Sequence, residues 1–342
     1  MIDADVIVAG GGPVGLAAAI EARLANLSVL LCEPRTSPID KACGEGLMPG
    51  ALRLLSRLGV DPSGRDFCGI RYVGGGLAVE HQFRTGPGRG VRRTVLHGQL
   101  ARRAAQVGVQ TVPTRVNLVR QDAAGVTVDG ALRARWLFAC DGLHSSIRRD
   151  LGLQRLRRRS ARYGLRRHFR VAPWSDAVEV HWTPEAEVYV TPVDDELVGV
   201  AVLGPRELRY DQVLASAVGV GERLRAGSPA SDLRGAGPMW QDTVRRTAGR
   251  VLLVGDAGGY VDALTGEGIR LGLVQARAAV AAVSAGRPAE YEQAWRRASR
   301  DYRLLTAALV TAAGRPSVRP RIVPLAHRLP RVYGAIVERL AA

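Results

Sequence analysis

The segment Gly10-Gly11-Gly12-Pro13-Val14-Gly15 has glycines at the G-x-G-x-x-G spacing of a phosphate-binding turn. The first glycine permits a tight turn, the second lets the backbone approach a pyrophosphate, and the third lets a helix pack against a strand. A helix that begins there offers unpaired N–H groups and the positive end of its dipole to phosphates. Glu33 lies 18 residues beyond Gly15, where a carboxylate can bind ribose hydroxyls. These residues predict a dinucleotide-binding site.

The elements around this turn have the pattern that such a site requires. Val6-Ile7-Val8-Ala9 is an apolar run typical of a strand buried in a parallel sheet, and residues 14–25 have apolar side chains at helical spacing. Ser28-Val29-Leu30-Leu31-Cys32 is the second predicted strand and ends at Glu33. We therefore predict a β-α-β unit at the start of the chain, which favours dinucleotide binding over a purely structural glycine turn.

Two further segments combine glycine with aspartate at predicted strand ends. Cys140-Asp141-Gly142-Leu143-His144-Ser145-Ser146-Ile147-Arg148 follows the pattern D-G-x-x-S-x-x-R after a predicted strand at 135–140. Gly255-Asp256-Ala257 follows a predicted strand at 250–254, and Gly266-Glu267-Gly268-Ile269 opens a long Ala-rich helix predicted at 268–285. The N-terminal unit alone does not distinguish NAD from FAD, so these two segments decide between them.

The three motifs, in this order, resemble those of the flavoprotein superfamily of para-hydroxybenzoate hydroxylase, aromatic-ring monooxygenases and geranylgeranyl reductases over about residues 3–285. The resemblance implies FAD as the cofactor, with NAD(P)H as a transient electron donor or a separate reductase as partner. It also implies that Asp256 bonds the ribityl chain and that Gly266 and Gly268 let the backbone approach the flavin ring. The helix after Gly268 would point its positive end at the pyrimidine edge of the ring.

Other candidate cofactor-binding residues follow from the same resemblance. Arg93, at the start of a helix predicted at 94–107, corresponds to an arginine that reaches FAD, with a plain surface arginine as the alternative. Glu33-Pro34-Arg35 fits a flavin site, with Arg35 over the adenine or against the ribose. The remaining candidates are Gly10, Gly12, Pro13, Val14, Gly15, Cys43, Gly44, Asp141, Gly142, Gly255, Asp256, Ala257, Gly266, Glu267, Gly268 and Ile269.

The segment at 41–49 resembles the Cys-Gly segment of geranylgeranyl-reductase-like flavoproteins, which runs beside the isoalloxazine. No catalytic residue is assigned, and Cys43 and Glu45 are the candidates. Cys43 is either functional or a small packing residue. Glu45 is either a proton-relay acid or an acceptor for backbone N–H groups. The residues expected to touch substrate are Met48, on this segment, and Tyr189 and Pro192, on a predicted strand.

The predicted fold class is α/β: a Rossmann-like (GR2-type) FAD-binding domain with a parallel sheet, an antiparallel-sheet substrate domain and C-terminal helices. Strand-like runs at 178–182, 187–190 and 197–202 predict the antiparallel sheet. Helices at 289–313 and 325–340 are expected to pack against the first domain. The FAD-binding domain is predicted as discontinuous, over 1–70, 90–155 and 245–342, and the substrate-binding domain covers 71–89 and 156–244.

Composition narrows the class of protein. A chain of 342 residues, 46% hydrophobic and 23% charged, is typical of a soluble globular protein, and no apolar run is long enough to span a bilayer. The acidic start is unlike a secretory signal, so we expect a cytoplasmic protein. Four cysteines without paired spacing and six scattered histidines indicate neither a disulfide framework nor a metal site.

The net charge of +16 comes almost entirely from arginine, because Lys41 is the one lysine among 48 basic residues. The densest run contains Arg155, Arg157, Arg158, Arg159, Arg162, Arg166, Arg167 and Arg170. It lacks the interleaved aromatic residues that a nucleic-acid-binding surface uses for stacking, so nucleic acid is not expected as a partner. We predict a solvated face, with steering of an anionic substrate or contact with a membrane surface as alternatives.

The resemblance implies an FAD-dependent oxidoreductase. The preferred function is a monooxygenase that hydroxylates or epoxidises a small to medium, apolar aromatic or polyketide-like compound through a flavin C4a-hydroperoxide. The alternative is a reductase of isoprenoid double bonds, which Cys43-Gly44 and Gly266-Glu267-Gly268 favour. A third hypothesis is a flavin-binding protein without turnover, whose arginine-rich face binds an acidic partner.

Overall fold

The computed structural model describes residues 2–155 and 161–342. Over these residues the strands are β1 Ala4–Ala9, β2 Val29–Cys32, β3 Gly46–Leu47, β4 Arg65–Phe67, β5 Gly69–Gly74, β6 Leu77–Gln82, β7 Gly88–Gly90, β8 Gln110–Val112, β9 Val119–Gln121, β10 Val126–Val128, β11 Leu132–Ala139, β12 Gln154–Arg155, β13 Tyr163–Arg170, β14 Ala177–Trp182, β15 Glu187–Asp194, β16 Leu197–Gly204, β17 Ser228–Pro229, β18 Arg234–Ala236, β19 Asp242–Thr243, β20 Thr247–Ala248 and β21 Val251–Leu253. The α-helices are α1 Pro13–Leu24, α2 Pro49–Arg57, α3 Arg93–Gln106, α4 Ser146–Asp150, α5 Tyr210–Ser216, α6 Val220–Arg225, α7 Gly268–Ser284, α8 Glu290–Ala313, α9 Ile322–Arg328 and α10 Pro330–Ala341. Short 3-10 helices cover Gly255–Gly258 and Arg319–Arg321.

The first sheet is built on five parallel strands in the order β8-β2-β1-β11-β21. Its strands are short apolar runs because both faces are buried. Val6 and Val8 of β1 pack toward α1, α3 and α7, whereas Ile7 and Ala9 face a second apolar cluster that includes Ile147 of α4. The predicted β-α-β unit and parallel sheet are confirmed, and the glycine turn lies at the carboxyl end of β1.

The second sheet is mainly antiparallel, in the order β17-β13-β16-β15-β14-β5-β6. The three strand-like runs predicted from the sequence form β14, β15 and β16, which pair as antiparallel neighbours. Strand β5 adds to β14 in parallel and makes a hairpin with β6, so residues 69–82 complete this sheet. One face of this sheet, which includes Val178, Val180 and Leu203, packs against Leu264 in the turn before α7.

The C-terminal helices divide between the two sheets. Helix α8 packs against α7, next to the parallel sheet, whereas α9 and α10 pack against the β5–β6 hairpin. The expectation that residues 325–340 pack against the first domain therefore holds only for the contacts of α10 with α2 and α8. The reason is the apolar face of α10, where Tyr333 and Val337 are buried with Ile70 and Val79. No helix within residues 2–155 and 161–342 has both the length and the hydropathy to cross a membrane.

The arginine run at 155–170 is not a uniformly solvated face. Arg157–Arg159 lie outside the described residues, but β13 follows them and alternates between two faces. Arg166 falls on the buried face and pairs with Asp40 at 2.5 Å, and Arg162 pairs with Glu187 at 2.5 Å. The prediction of a solvated face is wrong for these two arginines. Strand alternation places Arg166 on the buried face of β13, and Arg162, just before the strand, is drawn inward by the buried carboxylates of Glu187 and Asp262.

Candidate active site

A cavity of about 590 Å³ lies between the carboxyl ends of the parallel strands and the face of the antiparallel sheet. Most of the candidate site residues line it, although they come from eight separate segments. The candidates that line it are Gly10, Gly12, Pro13, Val14, Glu33, Pro34, Arg35, Cys43, Gly44, Glu45, Met48, Arg93, Asp141, Gly142, Tyr189, Asp256, Gly266, Gly268 and Ile269.

Five candidates do not line the cavity: Gly15, Gly255, Ala257, Glu267 and Pro192. Gly15 and Gly255 lie behind the cavity wall, where they allow close contact of α1 with the Gly10 carbonyl and of the Gly255 turn with Val14. Pro192 is buried in β15, and its carbonyl packs against Gly90 of β7. Glu267 is buried beside Arg270, at 2.5 Å. The contacts proposed for Glu267 with the cofactor and for Pro192 with the substrate are therefore not supported by their positions.

The glycine turn has the geometry that its spacing predicts. Gly10 has a φ of +101°, and a Cβ there would lie 2.6 Å from the carbonyl oxygen of Cys140. A Cβ on Gly15 would lie 1.8 Å from the Gly10 oxygen, so α1 can approach β1 only through glycine. Gly12 differs, because a Cβ there would face the cavity, with the Nη2 of Arg93 as its nearest neighbour at 4.0 Å. The turn therefore leaves space at the N-terminus of α1.

The Glu33 carboxylate organises the rim of this turn. It accepts from the backbone N–H of Gly11 at 2.8 Å and from the Nε and Nη2 of Arg35 at 2.8 and 3.0 Å. Burial alone would raise the pKa of Glu33, but the Arg35 and backbone donors hold it below its ordinary value. Glu33 is thus a charged acceptor beside the cavity, as a ribose-binding residue must be.

The aspartate motifs meet at a second edge of the cavity, and Arg148 joins them. Its Nη1 donates to the carbonyl of Ala257 at 3.1 Å, and its Nη2 donates to the carbonyl of Leu143 at 2.9 Å. Burial raises the pKa of Asp256, which Lys41, Arg93 and Arg148 oppose. No donor within residues 2–155 and 161–342 bonds the Asp256 carboxylate, although it faces the cavity.

Helix α7 begins at the cavity, and its first residues form part of the wall. Gly266, with a φ of +70°, makes the turn before the helix. Burial raises the pKa of the neighbouring Glu267 to about 7, against the attraction of Arg270. The Tyr189 hydroxyl donates to the Leu264 carbonyl at 2.8 Å, which fixes this turn to the antiparallel sheet. A flat ring at this end of the cavity would therefore meet the positive end of α7.

The loop that contains Cys43 and Glu45 is held by buried polar contacts. Glu45 has a φ of +61°, which is uncommon for a residue with a side chain. Its Oε1 accepts from the backbone N–H of Arg93 at 2.8 Å, so the predicted acceptor role is present. Its Oε2 lies 2.6 Å from the Nε2 of His168, and the Nδ1 of that ring lies 2.9 Å from the Oγ of Ser231. Both Glu45 and His168 are buried.

Away from these charged groups, the cavity wall is apolar. It is formed by Phe67, Ile70, Val178, Val180, Ala201, Leu203, Met239, Leu264, Val337 and Leu340. These side chains come from the second sheet, from the turn before α7 and from α10. Hydroxyl groups of Tyr72, Tyr189 and Tyr260 also line this part, and burial raises the pKa of all three phenols. This half of the cavity suits an apolar molecule.

The polar half has the donors and acceptors that FAD requires. Buried Oδ1 of Asp141 and Nε of Arg93 have no partner among the described residues. Such atoms are costly unless a ligand satisfies them. FAD would place its pyrophosphate at Gly12 and Arg93, its adenosine ribose at Glu33, and its ribityl chain at Asp256. The ring would then lie by α7 and Cys43-Gly44.

Four residues that shape this site were not singled out from the sequence: His97, Arg148, His168 and Gln275. His97 lies one helical turn after Arg93 and its Nε2 bonds the Gly11 carbonyl oxygen at 2.8 Å, so the i, i+4 spacing in α3 could have indicated it. Arg148 is the last residue of the D-G-x-x-S-x-x-R motif, but the motif alone assigns it no contact. The Gln275 side chain accepts from the Gly255 N–H at 2.9 Å. For His168, no signal near it in the sequence points to Glu45.

Comparison with known proteins agrees with this geometry. The model of the FAD binding domain family matches residues 3–286. Menaquinone reductase of Mycolicibacterium smegmatis is 31% identical, covering 85% of this chain and 79% of that protein. Digeranylgeranylglycerophospholipid reductase 2 of Methanosphaera stadtmanae is 26% identical, over 80% of this chain and 76% of that protein. Rifampicin monooxygenase of Streptomyces venezuelae is 34% identical, but over 44% of this chain and 34% of that protein.

The fold is shared with solved flavoenzymes. The structure of p-nitrophenol 4-monooxygenase from Pseudomonas putida superposes with a TM-score of 0.81 at 20% identity, covering 99% of this chain and 96% of that one. A flavin-dependent brominase superposes with a TM-score of 0.81 at 19% identity, over 99% and 93% of the two chains. The family match, together with a cavity built by the three motifs, means that this chain belongs to the FAD binding domain family and is an FAD-dependent oxidoreductase.

Proposed function

We propose that the enzyme reduces a carbon–carbon double bond in the isoprenoid part of a lipid-like substrate. The observation that carries this proposal is the apolar half of the cavity. The hydroxyl of Tyr189 is already used by Leu264, so a polar group of a substrate would have few partners there. The menaquinone and digeranylgeranylglycerophospholipid reductases align over most of this chain, which supports an isoprenoid substrate.

The reaction adds two hydrogen atoms across the double bond. When bound and reduced by NAD(P)H or by a separate reductase, FAD would supply the hydride for one carbon. A proton must reach the other carbon, so one NAD(P)H and one proton are consumed for each bond reduced. The apolar wall positions the chain of the substrate and excludes water, while the residues of the Cys43 loop face the reacting end.

Glu45, His168 and Ser231 form the route that we assign to the proton. Glu45 lines the cavity, and His168 lies between it and Ser231 with hydrogen-bond distances of 2.6 and 2.9 Å. Ser231 lines an open groove on the surface, together with Asp40 and Arg234. A proton lost from Glu45 to the substrate is replaced through His168 from solvent. The thiol of Cys43, which also faces the cavity, is the alternative donor.

A second candidate is the monooxygenase activity that the three sequence motifs favour. The observation that favours it is the 34% identity to rifampicin monooxygenase, which is confined to 161 aligned residues. In that reaction a substrate C–H bond, molecular oxygen, NAD(P)H and a proton give the hydroxylated product, NAD(P)⁺ and water. The apolar wall would then hold a polyketide-like ring system instead of a prenyl chain.

Anaerobic turnover distinguishes the two. We expect the FAD-loaded enzyme, with dithionite as the electron source under argon, to saturate one double bond of a prenylated naphthoquinone, as measured by mass spectrometry. Product that forms only with oxygen and carries label from isotopically labelled oxygen would overturn the reductase proposal and support the monooxygenase.

A matched pair of variants tests the proton route in the same assay. Glu45→Gln keeps an acceptor for the Arg93 N–H but cannot carry a proton, whereas Cys43→Ser keeps the size of the side chain and removes the thiol. Loss of turnover in Glu45→Gln with activity retained in Cys43→Ser supports the route through His168. The opposite result assigns the proton to Cys43.

A further inference from the structure

Helices α9 and α10 expose an unusual row of apolar side chains. Leu325, Leu329, Val332 and Ile336 are 57%, 47%, 54% and 40% exposed, and they follow one another at spacings of four, three and four residues. The N–H of Leu329 bonds the Leu325 oxygen, and the Leu329 oxygen accepts from Tyr333, so the chain stays coiled through the junction of the two helices. We call these four residues the apolar row.

The apolar row is concentrated rather than scattered. Five of the eleven large apolar side chains that are exposed in the described part of the chain belong to α8–α10: the apolar row and Leu304 of α8. An ion pair between Arg339 and Asp301 ties α10 to α8 one turn from Leu304. Isolated exposed leucines need no explanation, but a contiguous group marks an interaction surface.

Positive charge surrounds the apolar row. The segment at 314–342 contains six arginines and one carboxyl side chain, Glu338. Glu338 is turned to His81, at 2.8 Å, and Arg319 is buried against Glu187. Arg328 and Arg331 flank Leu329, are exposed, and have no carboxylate partner among the described residues. Exposed apolar side chains flanked by arginine are the pattern of a helix that lies in the interface of an anionic membrane.

The other face of α10 belongs to the active-site cavity. Val337 and Leu340 line the cavity, and the Tyr333 hydroxyl donates to the Ile70 carbonyl at 2.9 Å on the wall of the same sheet. One helix therefore separates the apolar half of the cavity from the apolar row. A lipid-soluble molecule held in a bilayer against this row would be within one helix diameter of the cavity.

We propose that α9 and α10 dock the enzyme on an anionic phospholipid bilayer through the apolar row, with Arg328 and Arg331 at the lipid headgroups. A second copy of the chain fits less well, because a symmetric contact through this face would bring its arginines together. The inference goes beyond the proposed function, and its test needs no turnover.

The test is co-sedimentation of the FAD-loaded chain with vesicles. We expect binding to vesicles of equimolar phosphatidylcholine and phosphatidylglycerol, weaker binding as salt rises, and little binding to pure phosphatidylcholine. The double variant L329E/V332E is expected to lose at least about tenfold in affinity. R328Q/R331Q is expected to lose roughly 25-fold in affinity for the mixed vesicles, since each of the two arginines near an anionic surface contributes about fivefold.

The double variant L118E/V218E is the matched control, because it adds the same charge at side chains that are 49% and 87% exposed elsewhere. It should bind vesicles like the wild type, and unchanged unfolding temperatures should show that all variants are folded. Equal losses in L118E/V218E and L329E/V332E would overturn the proposal, since net charge alone would explain them. Failure of the wild-type chain to bind anionic vesicles would also overturn it. So would a wild-type dimer in gel filtration that the L329E/V332E substitutions dissociate.

Discussion

Replacing Gly12 by alanine should separate cofactor binding from folding. Gly12 precedes α1 with a φ of −66° and ψ of 173°, a conformation open to any residue. Among the described residues, and apart from its chain neighbours, a methyl group there has the Nη2 of Arg93 as its nearest atom, at 4.0 Å, and projects into the cavity. We expect the apoprotein to lose at most about 1 kcal/mol, the cost of a poorer N-cap residue. The pyrophosphate of FAD, by contrast, would have to move away from the turn.

The size of the expected loss follows from overpacking. A methyl group forced into a well-filled contact costs about 1–3 kcal/mol, which raises the dissociation constant of FAD roughly 5- to 150-fold. The assay is a fluorescence titration of apoprotein with FAD, alongside thermal unfolding. Gly98→Ala is the control, because Gly98 lies in α3 with open space around it among the described residues. It should gain about 0.5–1 kcal/mol and leave FAD binding unchanged. Wild-type FAD affinity in Gly12→Ala would refute the placement of the pyrophosphate.

Three more predictions concern the charged residues. Because burial raises the pKa of Glu267 to about 7, the folded chain binds a proton more tightly than the unfolded chain, and stability falls as pH rises from about 4.5 to about 7 by an amount on the order of 3 kcal/mol. Glu267→Gln removes that fall, so the unfolding temperature of the variant should rise relative to that of the wild type as pH increases from about 5 to about 8. A difference between the two unfolding temperatures that does not change with pH would contradict this. Asp256→Ala should weaken FAD binding about 10- to 150-fold, the value of a hydrogen bond to a charged group, and a chain that retains its flavin through gel filtration would argue against it. His168→Gln should lower kcat about 10- to 100-fold with little change in KM and a larger solvent isotope effect, whereas an unchanged isotope effect would exclude His168 from the proton route.

The parallel sheet and its glycine turn could be predicted because local patterns determine them. The apolar run of β1, the helical spacing of α1 and the position of Glu33 are all read within 33 residues of the start. The tight turn gives residue 10 a positive φ, which favours glycine, so the glycine motif directly predicts the geometry of the turn. The same holds for the turn at Gly266 before α7.

The buried charges could not be predicted because their partners are distant in sequence. His168 and Glu45 are 123 residues apart, and the pairing arises from the position of β13 beneath the Cys43 loop. The density of arginine around Arg166 predicts a solvated side chain, but the two-residue period of β13 places Arg166 and His168 on the buried face. Pattern alone likewise gave no reason for α10 to pack against the β5–β6 hairpin rather than the parallel sheet.

The position of the flavin ring is the claim on which the rest depends, and a crystal structure of the FAD-loaded protein measures it. We expect difference density for one FAD per chain, with the pyrophosphate at Gly12 and the isoalloxazine between Gly44 and the start of α7. The open face of the ring should look onto the apolar wall of β14 and β16. Density for the ring outside this cavity, or with its open face turned toward solvent, would contradict both the assigned site and the proposed reaction.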